Sequence, residues 1–292
     1  MEYIGISGWT YEPWRGVFYP EGLVQKRELE YAASQFNSIE INGTHYSLQK
    51  PESFKKWASQ TPETGFLFSV KGPQYITHRR RLKEVEAPLA NFFASGVLAL
   101  AQEGKLGPFL WQLPPSFKFD GERIAHFLEL LPEDTTAAAK LGAQHDDHLR
   151  SEAWLEAGKR QPLRHAMEVR HESFMVPEFF TLLRKHRVAF VFADTAGKWP
   201  YAEDLTSDFV YIRLHGDKEL YVSGYTDKAI EHWAERIRHW REGEQPKDAK
   251  LVREEDNKPP RQITDVFVYF DNDVKTKAPR DAEALTTQLT RK

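Results

Sequence analysis

Eight short runs of aliphatic, β-branched and aromatic residues recur along the chain, at Tyr3–Ser7, Ser38–Ile41, Phe66–Lys71, Pro108–Leu113, His165–Val169, Val188–Ala193, Phe209–Leu214 and Asp265–Phe270. Most are continuous apolar stretches instead of strict alternations, as expected of parallel strands covered on both faces. Helical patterns lie between most of them. In Asp227–Glu242 the residues Ile230, Trp233, Ala234, Ile237 and Trp240 fall on one stripe, and Thr226 is placed as the N-cap. Leu29, Ala33 and Phe36 mark a second helix, Leu89, Phe92, Phe93, Gly96, Val97 and Leu100 a third, and Phe179, Phe180 and Leu183 a fourth, opened by Pro177. Shorter ones are predicted at Glu52–Ser59, Glu122–Leu131 and Asp281–Leu289.

Strands alternating with helices give a parallel sheet joined by right-handed crossovers. The count of eight and the length of 292 residues favour closure, so the predicted fold is α/β: a (β/α)8 TIM barrel in a single domain spanning residues 1–292. One unit departs from the ideal. Thr195–Asp208 is short, contains Pro200 and shows no apolar stripe, which predicts an irregular sixth crossover made of a loop with a turn of helix. Two polar segments, 132–164 and 243–264, each follow a helix and precede a strand, and a barrel would place such insertions on its bottom face. The first holds His145-Asp146-Asp147-His148, which has metal-ligand residue types but reads as a solvated loop at that end.

Composition narrows the chemistry. The absence of cysteine excludes disulfides, thiolate nucleophiles, Cys-ligated zinc and iron–sulfur clusters. The start of the chain has no basic and apolar leader, and no run reaches the roughly 18 apolar residues of a spanning helix, so a cytoplasmic protein without a membrane partner is expected. A net charge of −3 provides no overall attraction to nucleic acid, and any anion binding must come from a local cluster.

Such a cluster is visible at the strand ends. Strand one ends in Ser7-Gly8-Trp9, strand two in Glu40 and Asn42, strand three in Lys71 and strand four in Gln112. Strand five brings Glu168, Arg170 and His171, strand six Asp194, strand seven Arg213 and His215, and strand eight Asp271 and Asn272. The period of two puts Glu40 with Asn42, Glu168 with Arg170 and Arg213 with His215 on one face, opposite Ile39, Ile41, Val169, Ile212 and Leu214. That polar face must be the lumen, because the helical shell would bury the charges without partners at several kcal/mol each.

These residues also carry a resemblance. Gly5-Ile6-Ser7-Gly8-Trp9, Phe18-Tyr19-Pro20, Glu40-Ile41-Asn42 with Tyr46, Phe68-Ser69-Val70-Lys71, Gln112-Leu113-Pro114-Pro115, Glu168-Val169-Arg170-His171, Ala193-Asp194-Thr195, Arg213-Leu214-His215-Gly216 and Tyr269-Phe270-Asp271-Asn272-Asp273 occur in order over nearly the whole chain. They resemble the signature blocks of domain-of-unknown-function family 72, the YecE-like proteins. The resemblance implies a TIM-type barrel and marks the strand-top set as the family's motif positions, but brings no reaction with it. The 132–164 segment is longer than in the family's simplest members.

Four carboxylates (Glu40, Glu168, Asp194, Asp271) face three permanent cations (Lys71, Arg170, Arg213), with His171 and His215 able to add charge. That many cations suit a small anionic, phosphate-bearing ligand, since a guanidinium matches phosphate oxygens bidentately. The favoured expectation is hydrolysis or transfer at a phosphate ester. Lys71, Arg170 and Arg213 would neutralise the developing charge, Glu168, His215, Asp194 and Glu40 are the candidate catalytic groups, and Asn42, Gln112, His171, Trp9, Asp271 and Asn272 would contact the ligand. A divalent metal ion, as a cofactor, would take its ligands from Glu40, Glu168, Asp194, Asp271 and His215. One alternative is a carbohydrate-active enzyme using Glu40 and Glu168 as a carboxylate pair, with Trp9, Tyr11, Trp14, Phe18 and Tyr19 stacking on sugar. Another is a non-catalytic module for single-stranded nucleic acid, using those rings and Arg79-Arg80-Arg81.

Overall fold

All eight predicted strands form, within one or two residues of their expected limits: β1 (Glu2–Ser7), β2 (Ser38–Ile41), β3 (Leu67–Lys71), β4 (Leu106–Gln112), β5 (His165–Glu168), β6 (Ala189–Asp194), β7 (Phe209–Leu214) and β8 (Asp265–Phe270). In this computed structural model, which describes residues 1–252 and 263–290, each strand pairs in parallel with the next and β8 returns to β1, closing the barrel. The helices are α1 (Glu28–Gln35), α2 (Gly43–Tyr46), α3 (Pro51–Ser59), α4 (Glu86–Phe92), α5 (Ala99–Gln102), α6 (Gly121–Leu130), α7 (Thr135–Gly142), α8 (Pro177–Lys185), α9 (Asp227–Arg241) and α10 (Lys277–Thr290).

Two faces of every strand have different tasks. Ile4, Ile6, Ile39, Ile41, Phe68, Val70, Ile212, Leu214, Val266 and Val268 point outward into one large core shared with the helices. Burying each such side chain stabilises the fold by about 1.5–3 kcal/mol. The inward set changes character with height. Phe209 and Phe267 fill the lower lumen, and Ser38 with Tyr269 (2.7 Å) and Ser69 with Tyr211 (2.6 Å) form hydroxyl pairs above them. The register then sets Ser7 beside Glu40, and Gln112 beside Glu168, at the top. Gly5 is required where β1 meets β2, because a Cβ there would lie 1.7 Å from the Ser38 carbonyl oxygen.

The helical stripes hold with one exception. α9 is capped by Thr226, whose hydroxyl accepts from the Ala229 N–H at 3.2 Å, and buries Ile230, Trp233, Ala234, Ile237 and Trp240. The third predicted helix is instead broken into α4, a π-helical turn at Phe93–Val97, and α5. Gly96 causes the break: it sits at φ 111°, and a Cβ there would come within 2.5 Å of the Pro51 backbone at the start of α3. The sixth crossover, 195–208, carries turns and no helix. Part of the 243–252 stretch covers it, with Lys250 N–H donating to Glu203 Oε2 at 3.0 Å and Val252 N–H to Asp204 Oδ2 at 2.8 Å. The remainder of the second insertion, 253–262, lies outside the described residues.

The first insertion contains a helix the apolar pattern did not reveal, α7, N-capped by Asp134. Its two ends lie at the bottom, where Thr135 and Gln161 pair, but its middle climbs the outside of the shell. There Asp146 accepts from Asn91 Nδ2 of α4 at 2.8 Å, and Trp154 N–H donates to the Ala94 carbonyl oxygen. The His145–His148 segment therefore sits against α4, toward the upper rim, and not at the bottom as expected. No helix of the described residues is long and apolar enough to cross a membrane.

Candidate active site

Five strands converge on one guanidinium. Arg213 of β7 is fully buried; its Nη1 donates to Glu168 Oε2 of β5 at 2.8 Å, and its Nη2 to Glu40 Oε1 of β2 at 2.8 Å and to Asp271 Oδ2, just past β8, at 2.9 Å. Arg213 Nε adds a 3.1 Å bond to Glu40 Oε2. Ser7 Oγ of β1 (2.8 Å) and the Tyr211 hydroxyl (2.6 Å) complete Glu40, so each of its oxygens accepts two donors. Glu168 takes a further bond from Arg170 Nε at 2.6 Å. The three carboxylates are thus tied to Arg213 and Arg170, and these hydrogen-bonded pairs make their burial tolerable.

The electrostatics follow from this packing. Burial alone would raise the Glu168 carboxyl, but Arg170 and Arg213 hold it well below the usual carboxylate range. Asp271 is largely but not fully buried, and Arg213 and His215 bring it to about 2. Burial and Arg213 push the His215 imidazole down, so the ring is neutral. Its Nε2 lies 3.4 Å from Arg213 Nη1 and its Nδ1 3.1 Å from Asp271 Oδ2, an arrangement that suits a proton on Nδ1. Glu168 and His215 are both fully buried, and neither lines the space above the cluster.

Of the carboxylates proposed as metal ligands, Glu40, Glu168 and Asp271 meet at the point the guanidinium holds, and Asp194 does not reach it. Among the described residues no group of three or more His, Asp and Glu side chains is arranged to hold a metal ion, and the residues present do not fit that expectation.

Above the cluster opens a pocket of about 670 Å³. Of the residues named from sequence, Trp9, Asn42, Lys71, Gln112, Arg170 and Asp271 line it, whereas Glu40, Glu168, Arg213 and His215 lie behind its floor. Asp194 stands apart, its Oδ2 accepting from the Tyr225 hydroxyl at 3.0 Å, with burial raising its carboxyl. His171 caps a short turn through the Ser173 N–H, and Asn272 turns toward α10, donating to Asp281 at 2.7 Å. A Glu40–Glu168 pair for glycoside cleavage is sealed from the pocket, and of the first-loop rings only Trp9 and Tyr11 reach it. Trp14 and Tyr19 are buried and pack that loop onto the barrel.

The pocket also exposes what sequence reasoning passed over. His45 and His78 line it, their rings 5.1 Å apart, together with Tyr46, Trp57, Tyr221 and Asp273. Burial and Lys71 lower the two imidazoles, His45 to about 3 and His78 to about 4, so both stay neutral. The Gly72 carbonyl lies 2.9 Å from His45 Nδ1, fixes the proton there and leaves Nε2 as an acceptor. A histidine in each loop just past β2 and β3 was the available signal.

Lys71 is the distinctive group. It ends β3 and is 8% exposed; its Nζ makes no hydrogen bond or ion pair with the protein among the described residues. Burial and the nearby Arg213 lower its amine to about 8. Arg170, stacked 3.8 Å over Trp199, is held through Nε alone, so its terminal nitrogens remain as donors.

The sequence pattern described as "Protein of unknown function DUF72" matches residues 3–292. The chain belongs to the DUF72 family. Among solved DUF72 proteins, one from Thermotoga maritima is 26% identical, with a TM-score of 0.73 over 99% of both chains. One from Enterococcus faecalis is 16% identical with a TM-score of 0.68, covering 100% of this chain and 96% of that one, and shows the fold alone. The YecE protein of Escherichia coli K12 is 34% identical over 136 residues, 45% of each chain. The YunF protein of Bacillus subtilis is 29% identical over 129 residues, 43% of this chain and 44% of that one. The match thus spans less than half the length of these two curated relatives.

Proposed function

We propose that this DUF72 pocket holds a small phosphate-bearing ligand and that the reaction is hydrolysis or transfer at its phosphate ester. The observation that carries the reading is the ammonium of Lys71, without a hydrogen bond or ion pair among the described residues, in a pocket that also holds the outer nitrogens of Arg170; Glu40, Glu168 and Asp271 are bound by Arg213 or Arg170, and Asp273 is the lining carboxylate outside those pairs. Two such groups suit the non-bridging oxygens of one phosphoryl group, Arg170 by its fork and Lys71 as a point charge. Trp9 and Trp57, in edge contact at 5.4 Å, offer an apolar wall for the organic part.

Phosphoryl transfer asks for positioning and charge neutralisation more than for a strong base. Asp271 Oδ2 is fixed by Arg213, while Oδ1, which makes no hydrogen bond to the protein among the described residues, orients the attacking water or hydroxyl. Water attacks phosphorus, the ester P–O bond breaks, and the leaving oxygen takes up the proton the water loses. Calorimetric titration with phenyl phosphate tests the binding step, and release of phenol tests the reaction. Micromolar to millimolar binding, weakened at least about tenfold in Lys71→Ala and in Arg170→Ala, is expected. Absence of binding, or binding unchanged in both variants, overturns the reading.

A further inference from the structure

We infer that the pocket continues into a second subsite for a neighbouring nucleotide, which makes single-stranded nucleic acid the substrate class; this rests on the phosphate-ester reading above. A cavity of about 530 Å³ adjoins the first pocket and shares His45 and Tyr46 with it, so the two form one cleft. Tyr46 is 72% and Tyr75 48% exposed, and they are the two exposed aromatic side chains among the described residues. Both line this cavity. In a protein that packs its other rings into cores or onto neighbours, two exposed rings on one cleft mark a binding surface.

The charge beside them is specific. Arg80, on the cavity wall, is paired with Glu84, and Arg81 donates to Ser116 and lies over Phe117, which leaves Arg79, exposed and without an ion pair among the described residues, as the uncommitted cation of the run on the cavity. The acidic groups nearby are engaged, Glu84 by Arg80 and Asp146 by Asn91 and His148. The backbone is strained here: Tyr75–Arg79 is a π-helical turn, and Arg81, Leu82 and Glu84 follow at φ 53°, 61° and 48°. Such turns and left-handed residues persist where surrounding structure enforces them, often at functional sites. Tyrosine faces accept any base, and Arg79 accepts the next phosphate of the strand. A duplex would hide the base faces that the rings require.

The test compares thymidine 5′-monophosphate with the dinucleotide pTpT by calorimetry on the full chain. The dinucleotide is expected to bind at least about tenfold more tightly, as stacking of one further base provides. Tyr75→Ala and Arg79→Ala should each bring the ratio toward one, while Tyr75→Phe keeps it. Both altered side chains are exposed, so folding is not at stake. Equal binding of the two ligands, or a ratio untouched in both alanine variants, overturns the subsite; the phosphate-ester reading then survives if the monophosphate still binds and loses affinity in Lys71→Ala. Binding of pTpT that needs Tyr75 but is indifferent to Lys71 has the reverse meaning, upholding the subsite and removing the phosphoryl site.

Discussion

Two regions a few residues apart use the same side-chain types to opposite ends. Around Arg213, every carboxylate oxygen of Glu40 and the facing oxygens of Glu168 and Asp271 have donors, and Arg213, Glu40 and Glu168 are fully buried. Directly above, Lys71 and the outer nitrogens of Arg170 have no protein hydrogen-bond partner among the described residues and border the pocket, and Asn42 Oδ1 is buried beside it without one. The lesson is that charge density at a strand top does not by itself locate chemistry. A saturated buried network fixes geometry, and the unsatisfied groups resting on it are those with something left to bind.

The largest expected effect breaks the sealed half. Arg213→Met leaves the buried Glu40 and Glu168, and Asp271 beside them, without their shared cation and should destabilise the fold by about 3–5 kcal/mol, measured as a fall in the urea midpoint. A loss below about 1 kcal/mol would mean the cluster is not the structural floor described here.

Lys71→Met should do the reverse. It removes a desolvated amine, so stability is expected to rise by roughly 2 kcal/mol near neutral pH while phosphate affinity falls. A joint loss of stability and affinity would place Lys71 in the network instead of the pocket.

The pH dependence sharpens this. Because the folded amine sits at about 8, below the 10.5 of an ordinary lysine, the unfolded chain binds more protons in between, and stability should climb as pH rises from about 8 to 10.5. Lys71→Met should flatten that rise, and affinity for phenyl phosphate should decline over the same window as the ammonium is lost. Denaturation curves at several pH values, wild type against variant, read both.

The smallest effect is expected outside both regions. Asp194→Asn keeps an acceptor for the Tyr225 hydroxyl and removes a carboxylate raised by burial, so stability should change by about 1 kcal/mol or less. A large loss of phosphate affinity there would extend the site to β6.

Much of the fold was legible because parallel strands buried on both faces must be apolar and α9 must show its stripe. The break at Gly96 was not, since it follows from the approach of Pro51, forty-five positions earlier in the chain. α7 escaped because Thr135–Gly142 is rich in alanine and carries no broad apolar stripe, its position being set by contacts with α4.

Sequence alone determined which residues stand at the strand tops and which face the lumen, because a strand's period of two and a barrel's polarity leave no other place for Glu40, Glu168, Arg213 and Asp271. Tertiary structure alone decided which of them can act. Whether a carboxylate is free or saturated depends on where one guanidinium from β7 comes to rest among side chains of β2, β5 and β8, and those distances belong to the closed barrel and not to any stretch of the chain.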